Sequence, residues 1–265
     1  MTLRRLDAEL VRRGLARSRD HAQDLIKQGS VEVKGSLSTK PSRQVNDSDS
    51  IRLVDLDPGP QWVSRGAHKI LGALDAFPEI EVRGKTCLDA GASTGGFTQV
   101  LLERGARLVY AVDVGYGQLA WSLQSDDRVD VRDRTNVRHL EPGDFDPVPS
   151  LVVSDLSFIS LKSVLPALIG VAASEADFLL MVKPQFEVGK NRLGKNGVVR
   201  DPALRIESVQ GVADAAFELG VGTVDVAASP LPGPKGNVEY FLWLRSGGMS
   251  VDRDKLEQVV ENGPT

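Results

Sequence analysis

The chain has 265 residues, of which 41% are hydrophobic and 26% are charged, as in ordinary folded globular proteins. It contains no signal-peptide core and no apolar run of about 18 residues or more, so the sequence predicts no membrane association and a cytoplasmic location. The single cysteine, Cys87, excludes an internal disulfide and a cysteine-based zinc site.

The net charge of -4 is unevenly distributed along the chain. Residues 1–46 contain ten Lys and Arg and five Asp and Glu, so this segment carries +5 and the rest of the chain carries -9. A basic segment attached to an acidic body is typical of an anion-binding module joined to a second domain. The alternative is an ordinary solvated charged surface.

Residues 1–59 predict a small α+β domain. Hydrophobic periodicity indicates one helix that ends at Gly14 and a second helix that Ser18 caps, followed by short strands at 31–33 and 49–54. A turn rich in Pro and Gly then marks the domain boundary, and residues 60–63 are predicted to form a linker.

Strands and helices alternate in a second predicted domain, residues 64–245. Strands are predicted at 86–89, 108–114, 129–131, 151–154, 178–182, 224–228 and 240–244, and helices near 66–77, 96–104, 117–124, 161–173 and 203–219. This alternation predicts a doubly wound, Rossmann-like α/β sheet with its ligands at the carboxyl ends of the strands. The tail, residues 246–265, has no apolar run and is expected to lack fixed structure.

A glycine-rich turn between a predicted strand and a predicted helix suggests a ligand that lies close to the backbone. The turn lacks the dinucleotide spacing and the P-loop lysine, so the ligand need not carry phosphates. Asp113, 22 positions after Gly91, ends the next strand, where it can accept hydrogen bonds from ribose hydroxyls. Asp133 ends a third strand, where it can accept from an adenine amino group. A nucleoside without pyrophosphate fits S-adenosylmethionine; the alternative is a purely structural turn. The predicted cofactor residues are Asp89, Gly91, Ala92, Ser93, Thr94, Gly95, Gly96, Asp113, Val114, Asp133, Arg134 and Asp155.

Two groups of motifs resemble known families. The run Arg-Gly-Leu-Ala-Arg-Ser-Arg at 13–19, with Lys-Pro-Ser at 40–42, resembles the small RNA-binding module first described in ribosomal small-subunit protein four. The segments 64–69, 89–96, 154–161 and 182–187 resemble the FtsJ-like ribose methyltransferases. Over residues 5–245 the combination resembles the TlyA family, historically called hemolysin A. One departure is Pro60 at the start of the linker tetrapeptide, where family members often carry a basic residue.

The resemblance implies a catalytic tetrad and a reaction. The tetrad falls on Lys69, Asp155, Lys183 and Glu239. The implied reaction is transfer of a methyl group from S-adenosylmethionine to cytidine 2′-hydroxyls in ribosomal RNA of the small, and sometimes the large, subunit. It needs no metal.

The residues themselves support the tetrad, because Asp155 and Lys183 each follow a predicted strand. We assign Lys183 as the base that removes the hydroxyl proton, since a neighbouring cation such as Lys69 and partial burial favour its neutral amine. Asp155 would orient Lys183 and the substrate, and Glu239 would position Lys69 or the ribose. The alternative for each residue taken alone is an ordinary surface charge.

Basic side chains in both domains are predicted to contact RNA phosphates. The candidates are Arg4, Arg5, Arg17, Arg19, Lys27, Lys40, Arg65, Lys190 and Arg192. The last two belong to a glycine-rich stretch, residues 189–200, which we interpret as a mobile loop that closes over the substrate nucleotide. Phe158 and Phe186 are candidates for stacking on a base that has been flipped out of the RNA, or for core packing.

Three other functions were weighed against the methyltransferase. A membrane-lytic toxin lacks support because the sequence has no membrane span and no strongly cationic amphipathic helix. A non-catalytic ribosome assembly factor would not need the tetrad, and a pseudouridine synthase does not fit the glycine turn with its paired carboxylates. The expected partners are ribosomal RNA and ribosomal subunits, with the oligomeric state left open between a monomer and a weak homodimer.

Overall fold

A computed structural model describes residues 3–27, 29–54, 61–233 and 235–263. The chain divides into two compact units, Met1–Gln61 and Trp62–Thr265. The predicted boundary at residues 57–60 lies outside the described residues. Trp62 and Val63, predicted as part of a linker, instead pack against the core of the second unit, because both are apolar and directly precede its first helix.

The first unit packs two helices against short antiparallel strands. Its elements are β1 (Arg4–Arg5), α1 (Leu6–Arg12), α2 (Arg19–Lys27), β2 (Val31–Val33), β3 (Ser36–Leu37), β4 (Gln44–Val45) and β5 (Ile51–Leu53). Strand β2 lies between β3 and β5, and β1 pairs with β4. Apolar residues of α1, α2 and β2 form its core, including the buried Leu6, Leu10 and Ile26. Ser18 caps α2 as predicted, since its hydroxyl accepts a hydrogen bond from the backbone N–H of His21 (3.1 Å).

The second unit is a seven-stranded sheet with helices on both faces. Its helices are α3 (Gly66–Ala76), α4 (Gly96–Glu103), α5 (Trp121–Gln124), α6 (Leu165–Gly170), α7 (Pro184–Glu187), α8 (Pro202–Glu218) and α9 (Arg253–Asn262). Its strands are β6 (Thr86–Ala90), β7 (Leu108–Val112), β8 (Val129–Arg132), β9 (Leu151–Ser154), β10 (Asp177–Val182), β11 (Val221–Ala228) and β12 (Tyr240–Ser246). In the sheet they follow the order β11-β12-β10-β9-β6-β7-β8. The doubly wound prediction is confirmed.

Two apolar layers, one on each face of the sheet, hold this unit together. Strands β6, β9 and β10 are buried along their whole length, as expected for central parallel strands that helices cover on both sides. One layer includes Leu88, Leu180 and Leu242, and the opposite layer includes Leu179 and Phe241. This rigid centre fixes where the loops at the carboxyl edge of the sheet begin.

Strand β12 runs antiparallel to both of its neighbours, β10 and β11. Its first residue, Tyr240, pairs with the last residue of β10, Val182. An antiparallel strand therefore begins at the edge where the parallel strands end. The residues that flank this pair, Glu239 and Lys183, are thereby brought to the same edge although they are far apart in the sequence.

The carboxyl-terminal tail differs from the expectation that it lacks fixed structure. Helix α9 is capped by Asp252, whose carboxylate accepts from the backbone N–H of Lys255 (3.1 Å). Leu256 and Val260 are buried in the core of the second unit. The apolar residues of α9 are Leu256, Val259 and Val260. Their helical spacing places them against the core although they form no continuous apolar run.

Candidate active site

The glycine-rich turn joins β6 to α4 with backbone angles that favour glycine. Gly91 has φ = 92° and Gly95 has φ = 96°. A Cβ atom at Gly91 would lie 3.1 Å from the backbone oxygen of Asp155, and one at Gly95 would collide with Leu123. The turn is therefore closely packed against Asp155 and Leu123 on one side. Its opposite side faces the open space at the carboxyl edge of the sheet.

That space is a cleft of about 660 Å³ at the carboxyl edge of the sheet. It lies within the second unit and combines glycine-turn residues with charged side chains from neighbouring strand ends. Its lining includes Ser64, Arg65, Lys69, Gly91, Ala92, Ser93, Thr94, Gly96, Asp113, Val114, Gln118, Asp155, Leu156, Ser157, Phe158 and Lys183. The volume lies in the range of pockets that hold small molecules.

Asp113 presents its carboxylate to this cleft from the end of β7. One oxygen accepts from the backbone N–H of Ser93 (2.9 Å) and the other from that of Gly115 (2.7 Å). These bonds fix the orientation of the carboxylate. Each oxygen keeps a second lone pair, so the group can still accept from ribose hydroxyls.

Several predicted cofactor residues do not line the cleft. Gly95 lies beneath the turn, the carboxylate of Asp133 accepts from the N–H of Gly117 (2.8 Å), and the guanidinium of Arg134 stacks on Tyr116 at 4.2 Å from the ring centre. These residues shape the loop after β7. Asp89 does not line the cleft either, because it is fully buried.

Asp89 lies under the glycine turn, where one of its oxygens accepts a hydrogen bond from the hydroxyl of Thr98 (2.7 Å). Its other oxygen has no hydrogen-bond partner among the described residues. Burial raises the pKa of this carboxyl to about 7, because the charged form loses its hydration. Asp89 thus supports the turn by linking β6 to Thr98 of α4.

The four residues of the predicted tetrad lie close together: Lys69, Asp155 and Lys183 line the cleft, and Glu239 contacts Lys69. Lys183 Nζ forms an ion pair with Asp155 Oδ1 (2.5 Å), and Lys69 Nζ forms one with Glu239 Oε2 (2.6 Å). Lys69 Nζ also lies 3.9 Å from Asp155 Oδ2, which links the two pairs. Both lysines and Glu239 are buried, so the four charges stabilise one another away from bulk water.

Sequence reasoning missed three residues that contact the tetrad. Ser157 accepts a hydrogen bond from Lys183 (2.8 Å), and Gln185 donates its amide to Glu239 Oε1 (3.3 Å). Gly233 packs so tightly against Glu239 that a Cβ atom there would lie 2.6 Å from Oε1. Ser157 and Gln185 each lie two residues beyond a tetrad member, a spacing that could have identified them.

Phe158 is the most exposed aromatic residue at the cleft. Its side chain is 91% exposed, its φ is 64°, and its ring lies 5.2 Å from that of Phe186. Glu187 holds this loop in place by accepting from the Ser160 hydroxyl (2.6 Å) and from the N–H of Leu161 (2.7 Å). Phe158 is therefore presented to solvent by a constrained backbone and does not pack in the core.

In the first unit, several arginines predicted to contact RNA also pair with carboxylates, of which Asp7 is buried and Asp47 is exposed. Arg5 (2.9 Å) and Arg19 (3.3 Å) both contact Asp7, and Arg4 contacts Asp47 (2.7 Å). The hydrogen bond from Arg5 lowers the pKa of Asp7 to about 2. By contrast, Arg17 and Lys40 have no ion-pair partner within the described ranges, and the side chain of Lys27 lies outside them.

The basic loop at 189–200 is anchored at two points. Arg192 pairs with Glu207 of α8 (2.5 Å). Asn237 accepts from the N–H of Val199 (2.9 Å) and donates to the carbonyl of Gly197 (3.0 Å). The side chain of Lys190 lies outside the described residues. The loop is thus fastened to the segment that carries Glu239, which the prediction of a mobile loop did not anticipate.

Among the described residues, no helix is both long enough and apolar enough to cross a membrane.

Comparisons with known families cover both units. The profile of the FtsJ-like methyltransferases matches residues 62–246, and that of the S4 domain matches residues 4–51. These matches agree with the division of the chain into two units.

Individual relatives extend over the full chain. A 16S/23S rRNA (cytidine-2′-O)-methyltransferase TlyA from Mycobacterium tuberculosis is 56% identical, with 98% of both chains covered. A 23S rRNA (cytidine-2′-O)-methyltransferase TlyA from Campylobacter jejuni is 36% identical over 81% of this chain and 84% of its own. The solved structure of a hemolysin-named protein from Streptococcus thermophilus superposes with a TM-score of 0.74 at 36% identity, covering 98% of this chain and 95% of that one. The chain belongs to the TlyA family of FtsJ-like methyltransferases, with an S4 domain at its amino terminus.

Proposed function

We propose that this protein transfers a methyl group from S-adenosylmethionine to a cytidine 2′-hydroxyl in ribosomal RNA. The observation that carries the proposal is the meeting of Lys69, Asp155, Lys183 and Glu239 at a cleft that also contains the glycine turn. Relatives named as rRNA (cytidine-2′-O)-methyltransferases support the choice of substrate.

The residues of the cleft fit an adenosyl cofactor. The glycine turn allows close approach to the backbone, and Asp113 offers two oriented acceptors for ribose hydroxyls. Helix α4 begins directly after the glycine turn, and the N-terminal end of a helix favours a carboxylate. When bound, S-adenosylmethionine supplies a methyl group on a positively charged sulfur.

Lys183 is the residue best placed to take the proton of the 2′-hydroxyl. It lines the cleft, and its side chain is almost fully buried between Asp155 and Ser157. Lys69 is less suitable, because it faces Glu239 at 2.6 Å and Asp155 at 3.9 Å. Ion pairs with these two carboxylates hold Lys69 in place, so it is assigned to orient the site and not to remove the proton.

Asp155 positions Lys183 and connects it to Lys69, while Glu239 and Gln185 hold Lys69 in place. The reaction also needs the hydroxyl oxygen about 3 Å from the methyl group and in line with the bond that breaks. Phe158, exposed beside this centre, is suited to stack on a nucleobase that has left its helix.

The S4 domain supplies a basic surface for RNA phosphates, including Arg17 and Lys40, which have no ion-pair partner among the described residues, and Arg65 adds a positive charge at the cleft. The relatives are named as methyltransferases of 16S and 23S rRNA or of 23S rRNA. We therefore propose the small subunit, and also the large subunit, as substrates, which places the protein with cytoplasmic ribosomes.

Methyl incorporation into isolated ribosomal subunits tests the proposal. Purified protein is incubated with labelled S-adenosylmethionine and each subunit, and the labelled nucleotide is mapped. We expect a cytidine 2′-O-methyl product that Lys183→Ala reduces by about 10²- to 10⁴-fold, the usual contribution of a general base, while cofactor affinity stays nearly unchanged.

Lys255→Ala is the matched control, since Lys255 pairs with Asp225 on the surface of α9. It should retain full activity. A wild-type protein that methylates neither subunit, or a fully active Lys183→Ala variant, would contradict the proposed function. Binding without incorporation would instead favour a non-catalytic assembly factor, and lysis of vesicles without cofactor would favour the hemolysin interpretation.

A further inference from the structure

The ammonium group of Lys183 has two neighbours in the loop that follows β9. Asp155 Oδ1 lies 2.5 Å from Nζ, and the hydroxyl oxygen of Ser157 accepts a hydrogen bond from Nζ at 2.8 Å. All three residues line the cleft. Ser157 follows Asp155 by two positions, so one short loop supplies both contacts.

A lysine that removes a proton does so through the lone pair of its neutral amine. That amine keeps two N–H donors and one lone pair in a tetrahedral arrangement. If Asp155 alone held it, the amine could rotate about the Cε–Nζ bond and turn its lone pair away from the substrate. A second acceptor on a different side removes that freedom.

The charge of the second acceptor also matters. The Ser157 hydroxyl is neutral, so it accepts the hydrogen bond without adding a negative charge beside the amine. Lys69 differs, since its contacts at 2.6 and 3.9 Å are both to carboxylates. Lys183 thus has one carboxylate and one neutral acceptor as neighbours, whereas Lys69 has two carboxylates.

We propose that Ser157 is a positioning residue that directs the lone pair of Lys183 toward the 2′-hydroxyl. This inference rests on the proposed function. In the step that it serves, the O–H bond of the ribose breaks, an N–H bond forms at Lys183, and the oxygen lone pair attacks the methyl carbon. The bond from that carbon to sulfur breaks, and its electron pair stays on sulfur.

Single-turnover methyl transfer measures this step directly. Three variants are compared with the wild type, namely Ser157→Ala, Ser157→Thr and Ser163→Ala, and cofactor affinity is measured for each by calorimetry. Ser163 is the matched control, because it is an exposed serine near the same loop whose hydroxyl donates to the backbone carbonyl of Ser160 (2.7 Å) and does not contact Lys183.

We expect Ser157→Ala to slow methyl transfer about ten- to a hundredfold, the effect of one hydrogen bond to a charged group. Cofactor affinity should be unchanged, Ser157→Thr should recover most of the rate, and Ser163→Ala should leave the single-turnover rate near that of the wild type. Recovery of the rate in Ser157→Thr would show that the rate depends on the hydroxyl group and not on the shape of the loop.

An Ser157→Ala enzyme as fast as the wild type would overturn the inference and leave the proposed function intact. So would a Ser157→Thr enzyme as slow as Ser157→Ala, or an equal loss in Ser163→Ala, since either result assigns the effect to loop structure. A wild-type protein without methyltransferase activity would be a failure of the proposed function itself.

Discussion

Glu187 Oε2 lies 2.6 Å from the hydroxyl oxygen of Ser160, and this contact joins the loop after β9 to the helix after β10. The same carboxylate accepts from the backbone N–H of Leu161 at 2.7 Å. One side chain thus fixes the loop that presents Phe158 at the cleft. Each oxygen of the Glu187 carboxylate therefore accepts one hydrogen bond from this loop.

Removing this contact should weaken use of the RNA more than binding of the cofactor. Glu187→Ala leaves the Ser160 hydroxyl and the Leu161 N–H without their acceptor, so the loop that carries Phe158 loosens. We expect kcat/KM for the ribosomal subunit to fall at least about tenfold, because two hydrogen bonds to the Glu187 carboxylate are lost. Cofactor affinity should change less than about twofold. Glu175→Ala, at an exposed turn, is the control. Equal kinetics of Glu187→Ala and wild type would contradict this role.

Gly233 offers a test of how finely Glu239 is placed. A Cβ atom at this position would lie 2.6 Å from Glu239 Oε1, so Gly233→Ala must displace the carboxylate that holds Lys69. A displacement of about 1 Å can reduce the rate about a hundredfold. Gly170→Ala is the control, because its Cβ atom would meet its nearest neighbour at an ordinary 3.9 Å. Steady-state methyl transfer measures both variants; an unimpaired Gly233→Ala enzyme would refute the argument.

Replacing Arg5 and replacing Arg17 should have different effects on the stability of the first unit. Arg5 pairs with the buried Asp7, whereas Arg17 has no ion-pair partner within the described part of the chain. Each substitution to Ala should reduce the slope of log affinity for RNA against log salt by about 1. Only Arg5→Ala should also destabilise the first unit, seen as faster hydrogen exchange of amides in α1. Slow exchange in Arg5→Ala would show that the pair with Asp7 adds no stability.

Asp89 should make the second unit less stable as the pH rises. Its pKa is raised from 3.8 to about 7 by burial, so between these values the folded state holds a proton that the unfolded chain has released. Its contribution is therefore present at pH 4 and is lost as the pH rises toward 7, with a slope of at most about 1.4 kcal/mol per pH unit. Asp89→Asn removes this titration.

Urea unfolding at pH 5 and pH 8 checks this prediction. All three tryptophans, Trp62, Trp121 and Trp243, lie in the second unit, so their fluorescence reports on it. The wild type should lose more stability between the two pH values than Asp89→Asn does. Identical losses in both proteins would mean that Asp89 does not titrate in this range.

Much of the second unit could be predicted from local patterns. Alternating strand and helix periodicities identified the sheet, and strand ends identified Asp113, Asp155 and Lys183 as cleft residues. The antiparallel direction of β12 could not be predicted in this way, because the periodicity of a strand does not show which strands it pairs with or in which direction. The position of Glu239 beside Lys69 was implied by family resemblance and not by its local pattern.

Other features depend on contacts that no local pattern contains. The pairing of Arg4 with Asp47 joins residues 43 positions apart, so a basic cluster that looked free for RNA is partly neutralised within the fold. Asp89 has the same motif context as a ligand-binding carboxylate, but the strand turns its side chain toward Thr98 and away from the cleft. Helix α9 escaped notice because only its packed face is apolar.

The place of β12 between β10 and β11 has a consequence for how the protein is made. During translation β11 is synthesised before β12, the strand that connects it to the rest of the sheet. Lys69 likewise emerges 170 residues before Glu239. The Lys69–Glu239 ion pair can therefore form only after both segments have been synthesised, and a chain that stops before Glu239 lacks this contact.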